Sequence, residues 1–166
     1  MIVLMFGFLL NSFFTDAPFV PVKKRVLEII IDTLKLSPNS VLYDLGCGDA
    51  RVLLKANESF KKIKKIGVEK NSVVYLWAKW LTRNTNTKIY CEDAHKTQLK
   101  NATHIYLYLL PKIMEKLQSK IINECKPGTR IVSCDFKFTN LTPDEIINLP
   151  ASKDKMCNKL YVYTLK

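Results

Sequence analysis

The chain is poor in glycine, and its cysteines lack the spacing of any metal or redox motif. Only 5 of the 166 residues are glycine, which excludes a collagen-like repeat. The five cysteines are odd in number and scattered, and no two of them form a Cys-x-x-Cys pair. A disulfide scaffold, a zinc ribbon and a thioredoxin-like motif are therefore excluded. We expect reduced thiols in a domain that faces the cytosol.

Arginine is also scarce. The chain carries 26 Lys and Arg against 15 Asp and Glu, a formal net charge of +11, yet only four of these cations are arginine. Surfaces that read a nucleotide sequence favour arginine, because its guanidinium makes bidentate contacts with bases and phosphates. The composition argues against a specific nucleic-acid partner. It leaves a salt-sensitive attraction to anionic lipid or to an acidic protein.

The hydrophobic content fits one folded domain. Hydrophobic residues make up 48% of the chain and recur in blocks along it, which excludes a disordered protein. A domain of this size buries about two-thirds of the surface that its unfolded chain exposes. It therefore needs no disulfide to hold its core. The charged run Lys61–Lys65 is predicted to be a solvated turn.

The first 14 residues are mostly hydrophobic and hold no charged side chain. As a helix they would reach about 21 Å, short of the roughly 30 Å hydrocarbon core of a bilayer. The run also lacks the basic start of a signal peptide. We predict a membrane-associating anchor over residues 1–15, with a buried core or oligomer helix and a cleaved or misassigned start as alternatives. Lys23, Lys24 and Arg25 would keep the domain cytoplasmic, at the inner face of a membrane.

Strands and helices alternate through the rest of the chain. Residues 16–38 are predicted to hold a linker and a first helix, and residues 39–166 the main domain. The predicted strands cover 40–45, 63–69, 87–91, 103–110 and 130–138, and the predicted helices cover 51–58, 72–83 and 112–125. Segments 145–149 and 160–165 follow as an antiparallel hairpin. This order predicts an α/β fold with a mostly parallel sheet.

The helix predicted over 72–83 carries hydrophobic side chains at the spacing of one helical face. These residues are Val73, Leu76, Trp77, Trp80 and Leu81. A hydrophobic stripe of this kind usually packs against a core. We therefore expect both tryptophans to lie against the sheet.

The most informative stretch is a hydrophobic strand that runs into two glycines and then a helix. Gly46 and Gly48 let the backbone turn tightly and approach a ligand at the carboxyl end of the strand. Asp44 precedes the first glycine by two residues, which places a carboxylate beside a cationic ligand rather than a pyrophosphate. A dinucleotide fingerprint would need a third glycine at position 51, where Arg51 stands.

Two further carboxylates follow the next two strands. Glu69 ends the second strand, where a carboxylate can accept both hydrogens of a ribose diol. Asp93 follows the third strand and could receive an adenine amino group. Each acid alone could be a helix cap or a solvated strand end. Together with Asp44 they stand at the carboxyl ends of three successive strands, which indicates one nucleoside site.

These motifs resemble the class I, seven-strand S-adenosylmethionine-dependent methyltransferases. More narrowly, the chain resembles the small lysine methyltransferases related to those that act on the mitochondrial adenine nucleotide translocase and the ATP synthase c subunit. The matching stretches, in order, are Pro18–Pro21, Tyr43–Arg51, Gly67–Glu69, Tyr108–Pro111 and Lys126–Ser133. The resemblance implies a Rossmann-like, seven-stranded, mostly parallel sheet with helices on both faces and a C-terminal antiparallel hairpin.

The resemblance also implies the site residues and a cofactor, S-adenosyl-L-methionine. The implied cofactor-binding residues are Tyr43, Asp44, Gly46, Cys47, Gly48, Glu69, Lys70, Asp93 and Ala94. The acceptor would enter above the fourth strand's end, and the implied catalytic residues are Tyr108, Leu109, Leu110, Pro111 and Asp135. No metal is expected. An apolar slot suits an alkyl amine, because desolvation lowers a lysine pKa and supplies the neutral nucleophile.

The expected partner is a protein substrate with an exposed lysine. A methyltransferase of the same fold that acts on a small molecule or another acceptor is the first alternative. A cofactor-binding module without transferase activity is the second, because Ala50 stands where the family has its third glycine. That alanine should be tolerated if its φ is negative. The family also carries a His-Glu or similar pair where this chain has Cys134 and Asp135.

Overall fold

A computed structural model of the protein describes residues 21–150 and 156–166. The anchor predicted over residues 1–15 and residues 18–20 of the first matching stretch lie outside the described residues. The proposed boundaries at 15 and 38 stay predictions.

One seven-stranded sheet forms the centre of the described fold. The strands are β1 (Val41–Leu45), β2 (Lys64–Glu69), β3 (Thr87–Cys91), β4 (His104–Leu107), β5 (Arg130–Cys134), β6 (Glu145–Asn148) and β7 (Lys159–Thr164). Their order across the sheet is β3-β2-β1-β4-β5-β7-β6. The first five strands run parallel, and β7 is antiparallel to both β5 and β6. The predicted α/β sheet with a C-terminal antiparallel hairpin is confirmed.

Helices cover both faces of the sheet, so that the hydrophobic core forms one layer on each face. The helices are α1 (Lys24–Leu34), α2 (Arg51–Ser59), α3 (Ser72–Leu81) and α4 (Pro111–Glu124). The first layer includes buried hydrophobic residues of α1 and α2 together with Ala78 of α3, and the second includes those of α4. Side chains alternate across a strand, so Leu42 lies in the first layer and Leu45 in the second. None of the helices in these two described ranges is long and apolar enough to cross a bilayer.

Two strands end three or more residues earlier than predicted, and both end where the site begins. Strand β4 was expected to reach residue 110, but it ends at Leu107, and Pro111 is the first residue of α4. Strand β5 was expected to reach residue 138, but it ends at Cys134. The next residue, Asp135, has a φ of +61° and turns the chain out of the sheet.

Helix α3 packs with a different face from the one predicted. Its buried residues are Val74 and Ala78, and its exposed large side chains are Val73, Leu76, Trp77 and Trp80. The small side chain of Ala78 lets the helix approach the sheet closely. The prediction was wrong because α3 is hydrophobic on nearly every side, so that periodicity alone does not identify its inner face.

Candidate active site

The two glycines after β1 adopt a conformation that most other residues avoid. The φ angles are +77° at Gly46 and +55° at Gly48, both in the left-handed region. The amides of Gly46 and Cys47 both donate to the Val68 carbonyl, at 2.8 and 2.9 Å, which fixes the turn against β2. The sequence therefore predicted this turn correctly. Cys47 itself is buried in the first core layer, so its backbone rather than its thiol borders the turn.

Leu109, two residues past the end of β4, lies directly against this turn. A Cβ atom added to Gly46 would come within 2.5 Å of Leu109 Cδ2, closer than side chains pack. A side chain at position 46 would therefore have to adopt a positive φ and displace the end of the Leu109 side chain. The predicted acceptor segment and the predicted cofactor turn meet at this contact. Leu110 and Pro111 follow it at the start of α4, and both are exposed.

Glu69 joins the glycine turn to the start of α3. Its Oε2 accepts a hydrogen bond from the Gly48 amide at 3.0 Å, and its Oε1 accepts one from the Asn71 amide at 2.8 Å. A carboxylate offers about four acceptor positions, so two remain for a ligand. The side chain is half-buried at the carboxyl end of β2. These contacts suit the ribose contact predicted for Glu69, which stays a prediction.

Asp44 is a buried carboxylate, with 2% of its surface exposed. Burial raises the pKa of this carboxyl well above its usual value, and the negative charges of Asp49 and Glu69 raise it further. The charges of Asp49 and Glu69 therefore act on Asp44 beside the glycine turn. A cationic group bound here would favour the ionised form of Asp44. This is the charge that an amino group or a sulfonium would bring.

Asp49 and Arg51 were not among the predicted site residues. Arg51 makes a bidentate contact with Asp49, with Nε 2.8 Å from Oδ1 and Nη2 2.5 Å from Oδ2. Its Nη1 donates to the Val22 carbonyl, so the chain before α1 is held against the glycine turn. The sequence did contain a signal for the Asp49–Arg51 pair, because an arginine two residues after an aspartate can form an ion pair with it. The contact with Val22 spans 29 residues and leaves no local pattern.

Asp93 is already engaged by its own segment. Its Oδ1 accepts a hydrogen bond from the His95 amide at 3.0 Å, and its Oδ2 lies 3.4 Å from Lys70 Nζ. The hydrogen bond from His95 lowers the pKa of Asp93, and Lys70 lowers it further. Ala94, next to it, packs half-buried against the second core layer. The structure thus brings Lys70 and Asp93 together, and their cofactor roles stay predictions.

Tyr43 is separated from the rest of the predicted cofactor set. It precedes Asp44 on β1 and therefore points to the opposite face of the sheet. Its side chain is 7% exposed and belongs to the core layer under α4. Burial raises the pKa of its phenol. Nothing in this placement favours the predicted contact between Tyr43 and the cofactor.

Tyr108, the first residue of the predicted acceptor segment, is hydrogen-bonded to Asp135. The Tyr108 hydroxyl donates to Asp135 Oδ2 at 3.0 Å, and its ring stacks on that of Phe136 with 6.3 Å between centroids. Asp135 also accepts hydrogen bonds from the amides of Cys157 and Asn158, at 2.7 and 2.6 Å. Burial raises the pKa of the Tyr108 phenol, which keeps it neutral. Asp135 therefore acts here by fixing Tyr108 and the start of β7.

Cys134, Asp135 and Cys157 bring three potential metal ligands within 4.8 Å of one another. The two cysteines are far apart along the chain, so their spacing did not suggest a site. The Asp135 carboxylate already accepts hydrogen bonds from Tyr108 and from backbone amides. A metal ion would have to displace these contacts. The cluster is therefore better explained as the hydrogen-bonded junction of β5 and β7.

Ala50 was expected to be tolerated if its φ were negative, and this condition is not met. Its φ is +61°, in the left-handed region where glycine is favoured. The residue is completely buried in the first core layer, so its methyl group contributes to packing. This burial offsets the cost of the backbone conformation.

The sheet order, the glycine turn, and the acids near the end of β1, at the end of β2 and after β3 define an S-adenosylmethionine-dependent methyltransferase. A solved structure of an RNA methyltransferase from Salinibacter ruber, in complex with S-adenosyl-L-homocysteine, superposes with a TM-score of 0.79 and 26% identity. That match covers 88% of this chain and 94% of the other. The sequence-family model of the ANTKMT methyltransferase domain matches residues 44–145. The chain belongs to this family.

Two curated relatives show how the family match extends along the chain. A protein-lysine N-methyltransferase from Saccharolobus islandicus is 29% identical over 160 residues, which cover 93% of this chain and 97% of that protein. A Homo sapiens lysine N-methyltransferase, named for the C-type subunit of ATP synthase, is 27% identical over 137 residues. That match covers 78% of this chain and 56% of the human protein, so the chain spans little more than half of that relative.

Replacing Asp44 with Asn should stabilise the cofactor-free protein at neutral and higher pH. The folded-state pKa of Asp44 lies above its ordinary value of 3.8, so the folded protein loses stability as pH rises from about 4 through that raised pKa. Asp44→Asn removes this loss. Urea denaturation should show a more stable variant at pH 8 and no such gain at pH 3.

The exposed Asp32 supplies the control, because Asp32→Asn removes the same charge from the surface of α1. S-adenosylmethionine should raise the melting temperature of the native chain and of Asp32→Asn, but not that of Asp44→Asn. An Asp44→Asn variant that is less stable at pH 8 and still stabilised by the cofactor would contradict the role given to this carboxylate.

Proposed function

We propose that this chain transfers a methyl group from S-adenosylmethionine to the side-chain amine of a lysine in a protein substrate. The main structural support is the close approach of the Leu109 side chain to Gly46. Because of this contact, a hydrophobic segment lies directly over the turn that we assign to the cofactor. The Saccharolobus islandicus and human relatives, both named as lysine N-methyltransferases, support the choice of acceptor.

The residues that would hold the cofactor lie at the carboxyl ends of the first three strands. The backbone of Gly46–Gly48 and the Asp44 carboxylate hold its amino-acid part, Glu69 its ribose and Asp93 its adenine. Burial and neighbouring acids disfavour the ionised form of Asp44, and a cationic group bound beside it would compensate that charge. Glu69 keeps its contacts with the Gly48 and Asn71 amides and uses its remaining lone pairs.

The residues of the site have little acid–base chemistry to perform. When bound, S-adenosylmethionine supplies a methyl group on a positively charged sulfur. The protein has to align the acceptor with that methyl group and exclude water. Leu109 and Leu110 desolvate the incoming lysine amine and lower its pKa, so that it enters as a neutral nucleophile. Tyr108, held by its hydrogen bond to Asp135, orients that amine.

Incubating the full chain with methyl-labelled S-adenosylmethionine and a cell lysate tests the acceptor. We expect label on protein, and mass spectrometry should place it on lysine. Glu69→Ala should weaken cofactor binding about 10- to 100-fold, because it removes hydrogen bonds to a charged acceptor. Calorimetry measures this effect, and labelling at low cofactor concentration should fall in step.

Glu58→Ala removes the same charge from the exposed end of α2 and should leave both readouts unchanged. If the label were found only on small molecules or on another residue type, the acceptor would be that group and not lysine. Cofactor binding without any transfer would favour the non-catalytic module. An unchanged cofactor affinity in Glu69→Ala would count against the assigned ribose contact.

We also propose that residues 1–15 attach the domain to the cytoplasmic face of a membrane. The support is chemical, because the first 14 residues hold no charged side chain and the chain carries a formal net charge of +11. Such a chain combines a hydrophobic segment with attraction to anionic lipid, two signals that together anchor a protein.

Deleting residues 1–15 should release the protein from membranes into a high-salt wash. The full chain should stay in the membrane pellet, because salt screens charge contacts but leaves a hydrophobic anchor in place. Transfer in vitro should be unaffected by the deletion. A truncated protein that stays with the washed membranes would contradict the anchor, and so would a full chain that washes off.

A further inference from the structure

Helix α3 presents a continuous hydrophobic surface to solvent. Its four members are 36% exposed at Val73, 62% at Leu76, 50% at Trp77 and 52% at Trp80. The two tryptophan rings stack with 5.2 Å between centroids. Single exposed hydrophobic residues are ordinary on a protein surface, but a contiguous patch usually marks an interaction site. We call these four residues the α3 stripe.

The fold itself does not require the α3 stripe. The helix is attached to the sheet through Val74 and Ala78, which are buried. Its first turn is capped by the Asn71 side chain, which accepts hydrogen bonds from the amides of Val73 and Val74 at 3.0 and 3.2 Å. Polar residues at the stripe positions would leave all of these contacts intact. The stripe therefore needs an explanation outside the folded domain.

Basic side chains border the α3 stripe, and the helix contains no acidic residue. The Arg83 guanidinium lies 4.4 Å from the centre of the Trp80 ring. Lys79 Nζ lies 3.2 Å from the Tyr75 hydroxyl on the flank of the stripe. Tryptophan rings beside lysine and arginine are typical of helices that lie at a membrane surface. The formal net charge of +11 adds a general attraction to anionic headgroups.

We propose that the α3 stripe rests on an anionic lipid bilayer. Trp77 and Trp80 lie at headgroup depth, and Lys79 and Arg83 contact lipid phosphates. The surface is separate from the anchor proposed for residues 1–15, because it is built from different residues. Helix α3 starts directly after Asn71, whose amide donates to Glu69, so the bilayer would lie beside the methyl-transfer site.

Tryptophan fluorescence reports on this surface selectively, because the chain has only two tryptophans and both belong to the α3 stripe. The full chain is titrated with vesicles of phosphatidylcholine and phosphatidylglycerol at low salt. We expect the emission to shift to shorter wavelength and to be quenched by lipids brominated on their acyl chains. Pure phosphatidylcholine vesicles and high salt should both reduce the effect.

Leu76→Gln should weaken vesicle partitioning about tenfold, because it removes one leucine side chain from the hydrophobic contact. The matched control is Ile146→Gln, which changes a side chain of similar exposure, 52%, on β6. It should partition like the native chain. Both variants should retain methyl transfer to a soluble substrate, since neither residue borders the glycine turn.

Three results would overturn the proposal. Co-sedimentation with unchanged tryptophan emission would mean that lipid is contacted elsewhere, as by residues 1–15. Emission already at short wavelength without lipid and unaffected by dilution would mean that another part of the chain covers the α3 stripe. Short-wavelength emission that is lost on dilution would assign the stripe to a second copy of the chain.

Discussion

The site depends on one unfavourable burial, that of the Asp44 carboxylate behind the glycine turn. Removing a charge from water is costly unless a partner of opposite charge compensates it. Here Asp49 and Glu69 add negative charge and raise the pKa of Asp44 further. Folding therefore leaves an electrostatic cost that a cationic ligand can relieve. A cofactor that carries a sulfonium and an amino group has this charge, whereas a pyrophosphate has the opposite one.

Glu69 and Leu109 then connect this acid to the rest of the reaction site. Glu69 accepts hydrogen bonds from the amides of Gly48 and Asn71, which couples the glycine turn to the start of α3. Leu109 reaches across from the end of β4 and occupies the space that a side chain at Gly46 would need. The ends of three parallel strands are thereby brought to one place. The proposed cofactor turn and the proposed acceptor segment therefore lie side by side.

The sheet, the glycine turn and the three acids were predictable because each follows from short-range pattern. Strand and helix alternation sets a parallel sheet, and the carboxyl ends of parallel strands share one edge. The inner face of α3 was not predictable, because the helix itself carries hydrophobic residues on nearly every side. Lys65 lies in a run predicted to be solvated, yet it is buried and its Nζ donates to the Phe60 carbonyl at 3.0 Å. The junction at Asp135 joins residues 22 or more positions apart, and no local signal shows it.

The proposed site requires that the carboxylates of Asp44, Glu69 and Asp93 surround one cationic nucleoside. A crystal structure of the chain with bound S-adenosylmethionine would show whether they do. We expect the amino-acid end beside Asp44 and the Gly46–Gly48 backbone, both ribose hydroxyls on Glu69, and the adenine amino group near Asp93. A cofactor bound elsewhere, or one whose ribose makes no contact with Glu69, would contradict it.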